Sequence, residues 1–434
     1  MANANGLCMT TATTGAAVPE PQVDRELDRL GITMVPQGWQ LSDVGSSCTI
    51  KNDLRLPLAV EVRDQMSGQY PYYGPTGILG CINEFRAQGD FALIGEDGDH
   101  FLDPLSKQQT QRVSGRFNVN NHAHLVAEGE QCEIDWFFYF FQHRDIFNSL
   151  TRQGAGRFKL TKYALERLPI LLPPLWEQRK VAAILRTWDD AIGRLDALIG
   201  KMRRQHLAIT DSLVFGVRRL SRFGLSTGCI QHRWFSLPTA WDCLSIAELA
   251  AEVSERNDGR ESTPTEVLSC SKYNGFVRSL EYFRKQVYSA DLTGYKRIRR
   301  GDFGFPSNHV EEGSIGLQDI ADVGLVSPIY TVFRFAPEKV DGPYAFSVLK
   351  SGLYRHIFEV STSSSVDRRG SLRWSEFSKI SFPLPPLDEQ KAISEVLDTH
   401  LRQLNGLKEK RETLERQKQG LMQKLLTGEW RVKA

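Results

Sequence analysis

The chain contains its own organisation twice. Leu172-Pro173-Pro174-Leu175-Trp176-Glu177-Gln178 returns 212 positions later as Leu384-Pro385-Pro386-Leu387-Asp388-Glu389-Gln390. The register then holds without a gap: Leu185 falls on Leu397, Leu195 on Leu407, Leu213 on Leu425, Gly216 on Gly428 and Arg219 on Arg431. Each half also opens alike, with Val35-Pro36-Gln37-Gly38-Trp39 answered by Leu237-Pro238-Thr239-Ala240-Trp241 at an offset of 202. The second half therefore carries about ten extra residues before its Pro-Pro pair. A duplicated chain behaves like a covalent dimer and suits a target with two-fold character.

Behind each Pro-Pro pair the texture is helical. Proline is absent from Leu175 to Ser236, and the heptad positions Val181, Trp188, Leu195, Met202 and Ile209 run beside Leu185, Ile192, Ile199, His206 and Leu213. Nine of these ten are apolar, which predicts a long coiled-coil helix. The second copy gives Ile393, His400, Leu407, Leu414 and Leu421 beside Leu397, Leu404, Arg411, Lys418 and Leu425, a weaker seam in the same register. Each helix would run about 35 to 40 residues, on the order of 55 Å. The prolines fix an extended entry, and Gly216 and Gly428 stand where a helix C-cap belongs. Seams of equal length predict two helices packed antiparallel, with one globule built before the first and another between them.

The globular parts read as mixed strand and helix. Short apolar runs such as Phe91-Ala92-Leu93-Ile94-Gly95 are broken by Gly, Asp and Pro. Trp136 to Phe141 is six aromatics in succession with no basic residue interleaved, a buried segment rather than a base-stacking platform. The expected fold class is α+β: two mixed α/β globules separated by two long antiparallel coiled-coil helices, related by an internal pseudo-two-fold repeat. Its parts are an N-terminal extension (1–31) with little to bury, a first globule (32–168), a central repeat with its helix (169–222), a second globule (223–380) and a C-terminal repeat with its helix (381–434). Charged residues at 24% and a net charge of +2 neither demand nor exclude a nucleic-acid partner. The seven cysteines are scattered without a CxxC pair, and no apolar run approaches a membrane span, so the expected location is the cytoplasm with no membrane partner.

This arrangement resembles the specificity subunit of type I restriction-modification systems. The resemblance covers about residues 32–434 and rests on the twin Leu-Pro-Pro-Leu-x-Glu-Gln segments, the twin Pro-x-x-Trp starts, and the ending Gly420-Leu421-Met422-Gln423-Lys424-Leu425-Leu426-Thr427-Gly428. Family-like segments inside the globules are Tyr70-Pro71-Tyr72-Tyr73-Gly74, Asn120-Asn121-His122-Ala123-His124, Gly301-Asp302-Phe303 and Ser327-Pro328-Ile329-Tyr330. The resemblance implies a DNA-reading adaptor in which each globule is a target recognition domain for one half of a bipartite, asymmetric double-stranded DNA sequence. The helices, with Val181, Leu185, Trp188, Ile192 and Leu195 facing Ile393, Leu397, Leu404, Leu407, Leu414 and Leu421, would set the spacer and dock two methyltransferase subunits. Those subunits would carry S-adenosylmethionine, leaving this chain without a cofactor, and restriction subunits would join the larger complex.

Duplex binding needs cations for phosphates and forked donors for base edges. In the second globule Arg284, Lys285, Lys296, Arg297, Arg299 and Arg300 form the densest cluster, with only Asp291 against them in sequence. Arg368, Arg369 and Arg373 follow a Ser-rich stretch, Ser361 to Ser365, that reads as a flexible loop. The matching place in the first globule carries Arg152, Gln153, Arg157 and Lys159 around Gly154 and Gly156. His122 and His124 have the spacing of metal ligands, but no third ligand is evident and no metal is expected. There is no GxGxxG, GxxxxGK[ST], GxSxG, HExxH or Asn-Pro-Pro-Tyr, so a non-catalytic chain is expected. The alternatives are a coiled-coil scaffold or protein-binding adaptor without a DNA role, and the recognition part of a split restriction-methylation enzyme.

Overall fold

The computed structural model describes residues 15–16, 30, 32–153, 157–224, 228–257, 266–283, 285–308, 310–363 and 371–433. Most of the N-terminal extension therefore lies outside the described residues. The chain divides into two compact units: one comprises Met1–Asp196 with Lys410–Ala434, the other Ala197–Glu409. Both boundaries fall inside long helices, Leu175–Val214 and Leu387–Leu426, each of 40 residues. Each unit is thus one globule plus the beginning of one long helix and the end of the other.

In the first unit a six-stranded sheet runs in the order Thr49–Ile50, Ala123–Ala127, Ala87–Gly95, Thr110–Val119, Ser67–Tyr73, Ile78–Ile82. All its pairings are antiparallel except that of Ser67–Tyr73 with Thr110–Val119. The six-aromatic run lies in the helix Ile134–Phe141, and every one of its rings is buried. Trp136 anchors it by donating its indole N–H to the Leu171 carbonyl at 2.7 Å. A separate two-stranded ladder pairs Gln40–Asp43 with Pro169–Leu172, so the strand leading into Pro173-Pro174 lies beside the one that follows Trp39.

The second unit repeats that ladder with Asp242–Ser245 and Ser381–Leu384. Its larger sheet is shorter, four antiparallel strands in the order Ala250–Glu252, Tyr330–Phe335, Phe303–Pro306, Gly316–Leu317. The place of Trp136 is taken by Tyr344, whose hydroxyl reaches the Pro383 carbonyl at 3.2 Å, the residue 212 positions beyond Leu171. Phe303, Phe305, Phe333, Tyr354, Phe377 and Phe382 fill the core around it.

Val181, Leu185, Leu195, Ile393, Leu397 and Leu404 are buried, while Trp188, Ile192, Leu407, Leu414 and Leu421 are half-buried. Burying one such side chain fully is worth about 1.5–3 kcal/mol. Within the first unit the two helix segments are antiparallel, since Asp189 meets Lys418 and Asp196 meets Arg411, both at 2.6 Å. The two basic interruptions of the second seam are therefore matched by acids one heptad apart on the first helix. Within the second unit His206 and His400 oppose each other, and burial together with the His400 charge lowers the proton affinity of His206.

Candidate nucleic-acid interface

The repeated motifs converge on one device in each unit. In the first, Glu177 is fully buried and its Oε2 accepts from the Trp39 indole N–H at 3.1 Å. Arg431, just past the end of the second helix, grips the same carboxylate with two nitrogens, at 2.7 and 2.8 Å. In the second unit Glu389 accepts from Trp241 at 3.1 Å and from Arg219 at 2.9 and 2.6 Å. A carboxylate stripped of water needs this number of donors, and the bidentate guanidinium supplies both charge and geometry. The adjacent glutamines repeat as well. Gln178 accepts from the Glu133 N–H and donates to the Gln131 and Pro173 carbonyls; Gln390 does the same with Asp341, Lys339 and Pro385.

Gly216 and Gly428 complete the clamp. Their φ angles are +64° and +73°, and a Cβ would lie 2.5 Å from Pro238 or 2.4 Å from Pro36. The helix end therefore closes directly onto the Pro-x-x-Trp segment. The twin clamps mount each globule on helix ends in the same way, whatever the rest of the globule does.

The predicted DNA-contacting cations divide into groups. Arg152 is exposed on the strand Thr151–Gln153, which pairs with Arg157–Lys159. That pairing brings Gln153 opposite Arg157; the side chains of these two lie outside the described set, as do residues 154–156. Lys159 is turned to Glu96 at 2.7 Å, where Arg55 also binds at 2.5 Å. Burial would raise the Glu96 pKa, but Lys159 and Arg55 outweigh it and the carboxyl sits below its ordinary value.

In the second globule Arg284, Arg368 and Arg369 lie outside the described residues. Lys285 and Arg373 are exposed. Lys296–Arg299 is a strand, as its alternation predicts, but Asp291 is not the chief counter-charge. Arg299 binds Glu255 at 3.0 Å, Arg297 lies 3.5 Å from the same carboxylate, and Arg300 binds Asp322 at 3.2 Å. Lys296 is half-buried and donates to the Tyr330 carbonyl at 2.5 Å. Residues distant in sequence therefore supply acids to this cluster, and among its described members Lys285, Arg299 and Arg300 are exposed. The expected loop from Ser361 is corrected, because helix Gly352–Ser363 extends through Ser361 and Thr362.

His122 and His124 serve the sheet. His124 is buried, its ring bonded to the Asn52 side chain at 2.8 Å and the Leu160 carbonyl at 2.7 Å, while His122 lies 2.9 Å from Asp97. Among the described residues no group of three or more His, Cys, Asp or Glu could hold a metal ion. One echo went unread in the sequence. Gly89-Asp90-Phe91 and Gly301-Asp302-Phe303 also stand 212 apart, the first within the strand Ala87–Gly95 and the second leading into Phe303–Pro306, each with a buried phenylalanine. Comparing every tripeptide at the helix offset would have found it.

The chain matches the family model described as type I restriction modification DNA specificity domain over residues 36–197 and 307–416, well over half its length. It belongs to that family. A type I restriction enzyme specificity subunit, MjaVIII, of Methanocaldococcus jannaschii is 23% identical over 416 residues, covering 92% of this chain and 94% of the relative. The EcoprrI specificity subunit of Escherichia coli is 28% identical over 127 residues, 29% of this chain and 30% of that one. The crystal structure of the type I S subunit from M. genitalium shares the fold, with a TM-score of 0.55 at 15% identity over 89% of this chain and 96% of that chain. As a member of the family, the chain has its two-globule α+β organisation, and among the described residues no helix is long and apolar enough to cross a membrane.

Proposed function

We propose that the chain is the DNA-specificity subunit of a type I restriction-modification complex, without catalysis of its own. The observation that carries this reading is the pair of Trp-Glu-Arg clamps: one mounting, used twice, for two globules of different sequence. Identical mounting with different cargo is what a reader of a split, asymmetric target requires. Each globule reads one half-site, and residues 32–168 and 223–380 are the two target recognition domains. The long helices form an antiparallel rod that sets the spacer and offers faces to two methyltransferase subunits. Those partners bring S-adenosylmethionine and flip the target adenine, and restriction subunits complete the larger assembly. The exposed cations Arg152, Lys285, Arg299, Arg300 and Arg373 serve phosphate contact.

The test is to co-express the chain with a type I methyltransferase subunit and map methylated adenines across the host genome. A split, asymmetric motif with a fixed gap is expected. An intact, soluble complex that methylates nothing would overturn the reading.

A further inference from the structure

The longest strand pairing of the first globule departs from the strand rule at its middle. Ala87–Gly95 and Thr110–Val119 pair in the register Gln88↔Arg116, Gly89↔Gly115 and Asp90↔Ser114. A half-buried ladder should alternate between core and solvent. Here Ala87, Phe91, Val113 and Phe117 are buried, yet residues 88–90 and 114–116 are all exposed. Both opposed glycines hold positive φ, +124° and +82°, and a Cβ at Gly115 would meet nothing within 4 Å. Backbone conformation, not crowding, calls for glycine at Gly115. The result is a kinked ribbon whose backbone is bare on its solvent side.

The cations beside the ribbon differ from those singled out by sequence. Among the described residues no carboxylate pairs with Arg86 or Arg116, whereas Lys159, Arg299 and Arg300 are each engaged by an acid. The Arg116 guanidinium lies 4.9 Å over the Phe85 ring, and Phe85 packs 5.0 Å from Tyr70. The loop carrying Phe85 and Arg86 is pinned from beneath by Asn118, which is fully buried. Its Oδ1 accepts from the Arg86 N–H at 3.0 Å and its Nδ2 donates to the Glu84 carbonyl at 2.7 Å. Arg86 itself donates to the Arg55 carbonyl at 2.9 Å. The acid on the ribbon, Asp90, lies 3.3 Å from Arg112.

We propose that this glycine-kinked ribbon, with Gln88 and Arg116 at its face and Arg86 at its side, reads base edges of duplex DNA for the first half-site. The proposal rests on the specificity-subunit reading and names the surface that performs it. A two-stranded ribbon fits the major groove, and Arg and Gln are the forked donors that distinguish guanine and adenine there. Register partners project on one face of the pair, so Gln88 and Arg116 present together. Bare glycines let the backbone approach the groove floor closely. Stacking on Phe85 holds the Arg116 fork in place before binding, which limits the entropy lost on contact.

The experiment uses the full chain in complex with its methyltransferase partner. Arg116→Ala, Gln88→Ala and Arg116→Lys are compared with Lys162→Ala, a remote surface control. Methylation mapping should show relaxed discrimination at one or two positions of one half-site for the first three variants, the other half-site unchanged. Binding to a duplex bearing the wild-type motif should weaken about ten- to a hundredfold for Arg116→Ala. Arg116→Lys keeps the charge and loses the fork, so it too should relax the motif. Variants that write the wild-type motif with wild-type affinity would overturn the proposal, as would an Arg116→Lys protein indistinguishable from wild type. A wild-type complex that writes no split motif would overturn the underlying reading instead.

Discussion

At the scale of single residues, the clamps leave little room for change. Glu177 and Glu389 have no contact with water, and each is satisfied by an indole and a guanidinium. Glu177→Ala or Glu389→Ala would strand a partly buried arginine and leave an indole N–H unpaired. Losing one partner of a buried pair costs about 3–5 kcal/mol. Guanidinium unfolding should therefore show one destabilised unit in each variant, a different one in each; an unmoved midpoint would make the clamp incidental. His100 offers a second test. It is 3% exposed, its Nε2 has no hydrogen-bond partner, and burial pushes its pKa down to about 4. The unfolded imidazole titrates near 6.5, so between those values the unfolded chain binds the extra proton. Neutral His100 is fully accommodated above about pH 6.5, and stability is lost as the pH falls through about 4, by at most about 3 kcal/mol. His124 and His143 shift downward too, from burial first, so His100→Gln should flatten the slope without abolishing it. A slope identical to wild type would count against this assignment.

At the scale of elements, what could be read in the sequence was periodic or repeated, and what could not was a pairing between distant positions. The long helices and their glycine ends follow from spacing and repetition alone. That Trp39, Glu177 and Arg431 meet does not, because the three lie far apart in sequence and only the folded ladder brings them together. The same holds for the cations. Arg299 and Arg300 look unopposed in sequence, while Glu255 and Asp322 reach them from other strands and loops. Arg116 stood out in no motif, since its partners are an aromatic ring and a backbone kink. The glycines separate the two kinds of position cleanly. Gly406 is exposed in mid-helix with nothing within 4 Å of a built Cβ, so Gly406→Ala should stabilise by up to about 1 kcal/mol. Gly428 has a φ of +73° and Pro36 at 2.4 Å, so Gly428→Ala should destabilise by more than that. Thermal midpoints moving in opposite directions would bear out the C-cap role, and a harmless Gly428→Ala would sink it.

At the scale of the whole molecule, the proposed rod makes spacing a mechanical variable. Each compact unit takes the start of one long helix and the end of the other, and the divisions fall between Asp196 and Ala197 and between Glu409 and Lys410. Seven residues inserted at both places fall between the units and break no segment of either, so the clamps and the Asp189–Lys418 and Asp196–Arg411 pairs keep their partners within their own unit. One heptad adds about 10 Å of helix and preserves the seam, because the inserted turns bring their own apolar positions into line. At about 3.4 Å per base pair, the mapped motif should keep both half-sites and widen its gap by about three base pairs. Insertion in one helix only would bring seam positions out of register and should abolish methylation. If the double insertion instead changed the bases read, the globules would not be independent readers. If the gap stayed fixed, the spacer would be set by the methyltransferase partners, and the helices would serve only to hold those partners.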